Sequence, residues 1–408
     1  MEQKLVITKQ DNKIISTFIE GRDMVQVSLN SSKSEDILGN IYLGKVKNII
    51  KNINAAFIEI ADGRMCYYSM SENRYPIIAN LPETKLLEDN PSGRLTETVI
   101  KVGDELIVQV SKEDVKTKAP VVTSNINLTG RYIALTYGKT TLGVSAKIED
   151  EKERKRLRNI VKRFESNNHG FVIRTNAAYV QEDVIINELM KLQSAFENIR
   201  SYGIHKNRFS LLYRTPPNYI CDIRDGYVNH VDEFITDDAL LYEHIKEYLE
   251  HFQVEDIGKL RLYSDATLSL SNLYGINEKL KEALKPMVWL KSGGTLVIQP
   301  TEALTAIDVN TGKAVGGKKK VQETFLKVNR EAAKEIAKQI RLRNLSGIII
   351  IDFIDLELSK DKELLMEELE SFLKADPIKT TLVDMTALGL VEVTRKKVRK
   401  PLHEQILD

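Results

Sequence analysis

Short runs of apolar, β-branched residues dominate the first hundred positions, and a longer apolar period takes over further along the chain. Lys13-Ile14-Ile15-Ser16-Thr17-Phe18-Ile19-Glu20 and Met24-Val25-Gln26-Val27-Ser28-Leu29 flank the turn signal Gly21-Arg22-Asp23, so they predict two strands joined by a turn. A polar break, Ser31 to Asp36, opens a new unit. There Gly39–Val46, Asn54–Ile60 and Val102–Val110 read as short strands separated by glycine and polar turns, the pattern of a small β-barrel. Pro76, Pro82 and Pro91 mark Tyr75–Glu97 as a long loop within it. Beyond about residue 120 the pattern is mixed. Glu149–Phe164 reads as an amphipathic helix that turns Leu157, Ile160 and Val161 to a core, Gly170–Thr175 as a strand, and Ala239–Phe252 as a second helix. In the last third, Gly294–Ile298 and Leu304–Val309 read as paired strands around Pro300-Thr301. A helix is predicted from near Gln322 to Asn344, with Ala333, Ile336, Ala337 and Ile340 as its apolar stripe. Gly347–Ile354 is then a buried strand, and this strand–helix–strand order predicts an α/β layer.

Length adds that 408 residues make two to four domains at roughly 150 residues each. With 42% hydrophobic and 29% charged residues the chain is not disordered as a whole. A formal net charge of +1 excludes a whole-chain polycation, so any nucleic-acid site has to come from local clustering. Two cysteines, Cys66 and Cys221, exclude a disulfide scaffold and a four-cysteine zinc site; both read as small buried apolar residues. The six histidines show no metal spacing. The start shows no signal-peptide core, and no fully apolar run exceeds four residues, as at Ile348–Ile351, far short of the roughly 20 a membrane helix needs. A cytoplasmic multidomain protein is expected.

Four features could carry chemistry. Asp308 and Asp352 each sit at the C-terminal end of an apolar strand, followed by Asn310 and Asp355. Carboxylates there are costly unless paired, hydrogen-bonded or metal-bound, and two from adjacent strands can hold one oxygen-seeking ion such as Mg²⁺. The alternative is that both cap helices or pair with lysines. Lys327, Arg330, Lys334, Lys338 and Arg341 share one helix face, with Gly316–Lys320 and Thr394–Lys400 adding charge, and phosphate backbones suit such a surface. A solvated face, with Glu331 and Glu335 pairing Lys334 and Lys338, is the better account of any single lysine. Phe57, Tyr67 and Tyr68 could stack bases on an open barrel face, although Phe57 could equally be core. Arg174-Thr175, a guanidinium fork beside a hydroxyl, suits a terminal phosphate or a structural ion pair.

Three long motifs together resemble the ribonuclease E/G family of bacterial RNA endonucleases. They are Ser292-Gly293-Gly294-Thr295 with Thr301–Asn310, then Asn329-Arg330-Glu331-Ala332-Ala333 with Ile336-Ala337 and Gln339–Asn344, then Gly347–Asp355. The resemblance extends over nearly the whole chain. It implies an α+β and α/β multidomain architecture: an OB-type β-barrel inserted in a split RNase H-like subdomain, followed by a DNase I-like α/β catalytic subdomain. Residues 1–36 plus 219–283 would be the RNase H-like part, 37–118 the RNA-binding barrel of the ribosomal S-one type, 119–218 a 5′-end sensor, 284–400 the catalytic subdomain, and 401–408 a short tail.

The resemblance also implies roles. Asp308 and Asp352 match magnesium-binding aspartates, one Mg²⁺ per site, and Asn310 the asparagine that supports the scissile site. Arg174 and Thr175 match a pair that grips a 5′-monophosphate, with Gly130 at a backbone contact of that pocket; Phe57, Tyr67 and Lys118 match barrel positions that hold RNA. The expected activity is Mg²⁺-dependent cleavage of single-stranded RNA, ribosomal precursor or messenger, leaving a 5′-phosphate and a 3′-hydroxyl. A non-catalytic RNA-binding protein of the same fold is the alternative. The Cys-x-x-Cys zinc link familiar after about residue 400 is absent from Arg399–Asp408, so no zinc link is expected and any homo-oligomer would form without it. Ala387 stands where some relatives place an arginine, which predicts a weaker terminal-phosphate preference.

Overall fold

In a computed structural model, residues 2–31, 37–79, 99–112, 119–225, 231–312 and 318–407 are described. The chain forms two compact units, Glu35–Pro217 and the flanking segments Met1–Ser34 with Asn218–Asp408. Among the described residues no helix is long and apolar enough to cross a membrane.

The Glu35–Pro217 unit contains a closed five-stranded barrel. Strands Ile41–Ile50, Ala55–Ala61, Arg64–Ser69, Val121–Thr123 and Glu105–Lys112 pair in that order, and the first and last pair with each other to close the ring. Val46, Ile58, Ile60, Tyr68, Val108 and Val122 fill its interior. Closure removes the free sheet edges that a small open sheet would leave. Beyond the barrel, strands Asn127–Thr129, Ile133–Tyr137, His169–Ile173 and Gly143–Val144 form a second sheet. It is covered by the helices Glu151–Lys162 and Glu182–Gly203, through a core that includes Leu135, Leu157, Phe171, Ile185 and Leu189. Asp150 caps the first helix, accepting from the Lys152 and Glu153 N–H groups.

The other unit holds two sheets. Leu260–Leu262, Glu233–Thr236, Gln3–Gln10, Lys13–Glu20 and Asp23–Ser31 form a five-stranded sheet in that spatial order. The predicted strands at Lys13 and Met24 are its outer pair; the strand before them, Gln3–Gln10, is the central one. A six-stranded sheet runs Met287–Trp289, Thr295–Pro300, Leu304–Asn310, Gly347–Asp352, Leu390–Arg395, Thr380–Met385. The helix Lys318–Leu342 crosses between the parallel pair Leu304–Asn310 and Gly347–Asp352. That helix starts four residues earlier than its apolar stripe predicts. Val328, Ala332, Ala333, Ile336 and Ile340 pack it on one face of the sheet, together with Leu365 and Leu369 of the helix Ser359–Lys374. A closed barrel and mixed α/β sheets are thus present, as the strand pattern predicts.

Candidate active site

The six-stranded sheet has one packed and one open face, and the alternation of each strand decides which residue goes where. Along Leu304–Asn310, Ile307 and Val309 are buried while Asp308 and Asn310 are exposed. Along Gly347–Asp352, Ile349 and Ile351 are buried and Asp352 is exposed. The strands are parallel with Asp308 opposite Asp352. The two carboxylates therefore share a face at a backbone separation of about 4.8 Å, one inter-strand spacing. Asn310 Nδ2 donates to Asp308 Oδ2 at 2.7 Å and orients that carboxylate.

The long helix braces both ends of this row. Asn329 is fully buried; its Nδ2 donates to the Ile354 carbonyl at 2.7 Å and its Oδ1 accepts the Ile354 N–H at 3.1 Å. Both backbone groups of the residue two beyond Asp352 are thus held by one amide. Glu331 accepts the N–H groups of Lys291 at 2.6 Å and Ser292 at 3.1 Å. Burial works to raise its carboxyl, but the Ser292 and Lys291 donors outweigh that and hold it below the usual carboxylate range. Gly312, at φ +65°, closes against the same turn: a Cβ there would come 2.4 Å from the Gly293 carbonyl oxygen, so only glycine fits.

The basic helix face is largely engaged within its own unit. Arg330 Nε donates to Glu368 at 2.8 Å, Lys338 lies 3.1 Å from Asp23, and Arg341 lies 3.3 Å from Glu20. Glu331 and Glu335 do not serve the lysines: Glu331 holds the Lys291 turn and Glu335 accepts from Gln339 at 2.7 Å. Lys327 and Lys334 stay exposed. The run Gly316–Lys320 lies outside the described side chains.

In the other unit, Arg174 Nη1 donates to the Gly130 carbonyl at 2.6 Å, and Thr175 Oγ1 lies 2.8 Å from Ser145 Oγ. Gly130, Arg174 and Thr175 are therefore brought together. Glu188, from the helix Glu182–Gly203, underlies them and accepts the N–H groups of Arg131, Tyr132 and Ile133 at 2.8, 2.7 and 2.8 Å. A Cβ on Gly130 would meet the Glu188 carboxylate at 2.5 Å. Burial pushes the Glu188 carboxyl above the usual range, against the pull of the three N–H groups and Arg174. Nothing near Glu188 in the sequence signals this role, because its partners are backbone groups 55 to 57 residues earlier.

Glu188→Gln turns an amide NH₂ toward one of three donors and is expected to cost about 1–3 kcal/mol of stability at acid pH. Because the folded-state pKa is raised, the wild-type advantage is fullest below the unfolded value and is lost as pH rises through the folded one. Melting curves of both proteins from acid to neutral pH check this. A difference that does not narrow with pH contradicts it.

Residues 127–398 match the model of the Ribonuclease E/G family. The chain is 35% identical over 404 residues to ribonuclease E of Synechocystis sp., covering 98% of this chain and 58% of that protein. It is 31% identical over 407 residues to ribonuclease G of Escherichia coli, covering 99% of this chain and 81% of that protein. The chain belongs to the ribonuclease E/G family. It spans somewhat more than half the length of the ribonuclease E relatives that it matches.

Within this ribonuclease E/G chain the barrel presents Phe57 opposite Tyr67 on neighbouring strands, both half-buried. Their rings meet edge to face at 6.3 Å and 81°. Tyr68 is a correction to the three-aromatic face: alternation sends it fully into the barrel core, where its hydroxyl lies 2.9 Å from Ser124 Oγ. Lys118 lies outside the described residues. Ala387 is exposed in the turn between Thr380–Met385 and Leu390–Arg395. Phe57→Ala is expected to lower single-stranded RNA affinity by about 1–3 kcal/mol with little change in melting. Tyr68→Ala should instead remove about 3–5 kcal/mol of stability. A binding titration beside a thermal melt separates the two; equal destabilisation by both would make Phe57 a packing residue.

Proposed function

We propose that this chain is a Mg²⁺-dependent endoribonuclease acting on single-stranded RNA, ribosomal precursor or messenger, in the cytoplasm. The observation that carries the reading is the in-register pair Asp308 and Asp352, braced by Asn310, on the open face of a sheet in a ribonuclease E/G chain. The donors are hard oxygens, which fit an oxygen-seeking divalent ion. Among the described residues no group of three or more His, Cys, Asp or Glu side chains is placed to hold a metal. Two carboxylates suffice for Mg²⁺, which keeps waters and takes phosphate oxygens as further ligands.

Asp308 and Asp352 would hold the ion, which when bound supplies positive charge for the phosphodiester oxygens and an activated water. Asn310 fixes the Asp308 carboxylate by its 2.7 Å hydrogen bond, so no reorientation is needed during the reaction. Phe57 and Tyr67, with Lys118, would hold the strand on the barrel, and Gly130, Arg174 and Thr175 would bind a 5′-monophosphate. Products would carry a 5′-phosphate and a 3′-hydroxyl. In this reading the five-stranded sheet is the RNase H-like part and the six-stranded sheet the DNase I-like part, with domain limits as the family resemblance implies.

The test is incubation of a single-stranded oligoribonucleotide, with a 5′-monophosphate or a 5′-hydroxyl, with the protein and Mg²⁺, followed by mapping of cut sites and ends. Internal cuts that leave 5′-phosphates and require Mg²⁺ are expected. Tight binding with no cut under any metal would make the chain an RNA-binding protein instead.

A further inference from the structure

The single tryptophan of the chain, Trp289, is 69% exposed on the edge strand Met287–Trp289. A solvent-facing indole forgoes the burial that this side chain normally gains. Its neighbours show that the exposure is built rather than frayed. Leu290 is buried in the sheet core and Val288 packs against that core, so alternation turns Met287 and Trp289 outward. The turn that follows is held by the Glu331 carboxylate through the Lys291 and Ser292 N–H groups.

Register places this indole relative to the carboxylates. Trp289 is opposite Thr295, and Thr295 is opposite Asn310. Directly opposed residues of antiparallel strands share a face, so Trp289, Thr295 and Asn310 form one row on the open side of the sheet. Two inter-strand spacings put the Trp289 backbone about 10 Å from that of Asn310. At about 3.4 Å per stacked nucleotide, that is up to three nucleotides along a strand.

We propose that Trp289 is a stacking platform for a base of the RNA strand within about three nucleotides of the scissile phosphate. The inference rests on the reading that Asp308, Asn310 and Asp352 engage RNA. A rigid exposed indole in line with those residues offers a π-face to any base and so adds affinity and strand direction without sequence preference.

Because Trp289 is the only tryptophan, its emission reports directly on the contact. The full chain, kept in chelator to prevent cleavage, is titrated with an end-labelled single-stranded oligoribonucleotide. Label anisotropy and indole emission are read together. Saturable quenching that tracks the anisotropy is expected. A walked series of single abasic positions should lose the quenching within a narrow window. Trp289→Ala should weaken binding roughly 5- to 100-fold with an unchanged melt, and Trp289→Phe should restore most of it. RNA binding with no change in indole emission, and unchanged affinity of Trp289→Ala, overturns the stacking role while leaving the RNA-binding reading intact. No RNA binding by the wild type overturns both. Indole emission that depends on protein concentration but not on RNA overturns the stacking role in favour of contact with a second copy.

Discussion

Asp308→Asn and Asp352→Asn are each expected to lower RNA cleavage by about 10³-fold or more, while RNA affinity measured in chelator stays near wild type. The loss is large because each carboxylate supplies half of the charge that would hold the ion, and charge stabilisation of a developing phosphorane is worth several kcal/mol. Affinity survives because the proposed strand-holding residues lie elsewhere. The double variant should be no worse than either single one, since the two act as a unit. Both side chains are exposed, so melting should shift by no more than about 0.5 kcal/mol equivalent. Single-turnover cleavage assays with each variant decide the matter: near-normal turnover in either would remove that residue from the site.

A large expected stability effect lies at the far end of the same sheet. Arg395 and Asp376 are 3% and 4% exposed, and Arg395 Nε donates to Asp376 Oδ2 at 2.7 Å. Arg395 Nη1 also donates to Asn344 Oδ1 at 2.7 Å and to the Leu345 carbonyl at 3.0 Å, tying the end of the long helix to the sheet. Asp376→Ala leaves a buried guanidinium without its counter-charge and is expected to cost about 3–5 kcal/mol. Adding Arg395→Met should recover part of that loss, because the uncompensated charge is then gone. Urea unfolding of the single and double variants checks this. A single variant within 1 kcal/mol of wild type would show that the pair contributes little.

What could be read in the sequence was local, and what could not depended on distant partners. Asp308 and Asp352 stand out because each interrupts an apolar alternation at a strand end, a property of a few adjacent residues. The same alternation separates Tyr67 from Tyr68, yet choosing between them requires knowing which side of the barrel is the core. The basic helix face misleads for a different reason. Arg330 finds Glu368 38 residues on, while Lys338 and Arg341 find Asp23 and Glu20 more than 300 residues back. Glu188 left no mark because it serves backbone N–H groups, which every sequence has. Trp289 sits in Met-Val-Trp-Leu, which reads as core until the edge position of its strand is known.

The one-sided sheet has a consequence for how the chain tolerates change. Core and candidate site are the odd and even phases of the same strands: Ile307 and Val309 against Asp308 and Asn310, Ile349 and Ile351 against Asp352. A single-residue insertion or deletion in Leu304–Asn310 exchanges the phases, driving Asp308 inward and Ile307 outward at once. Length variation in these strands is thereby coupled to loss of both fold and chemistry. Substitution at one phase can proceed without disturbing the other.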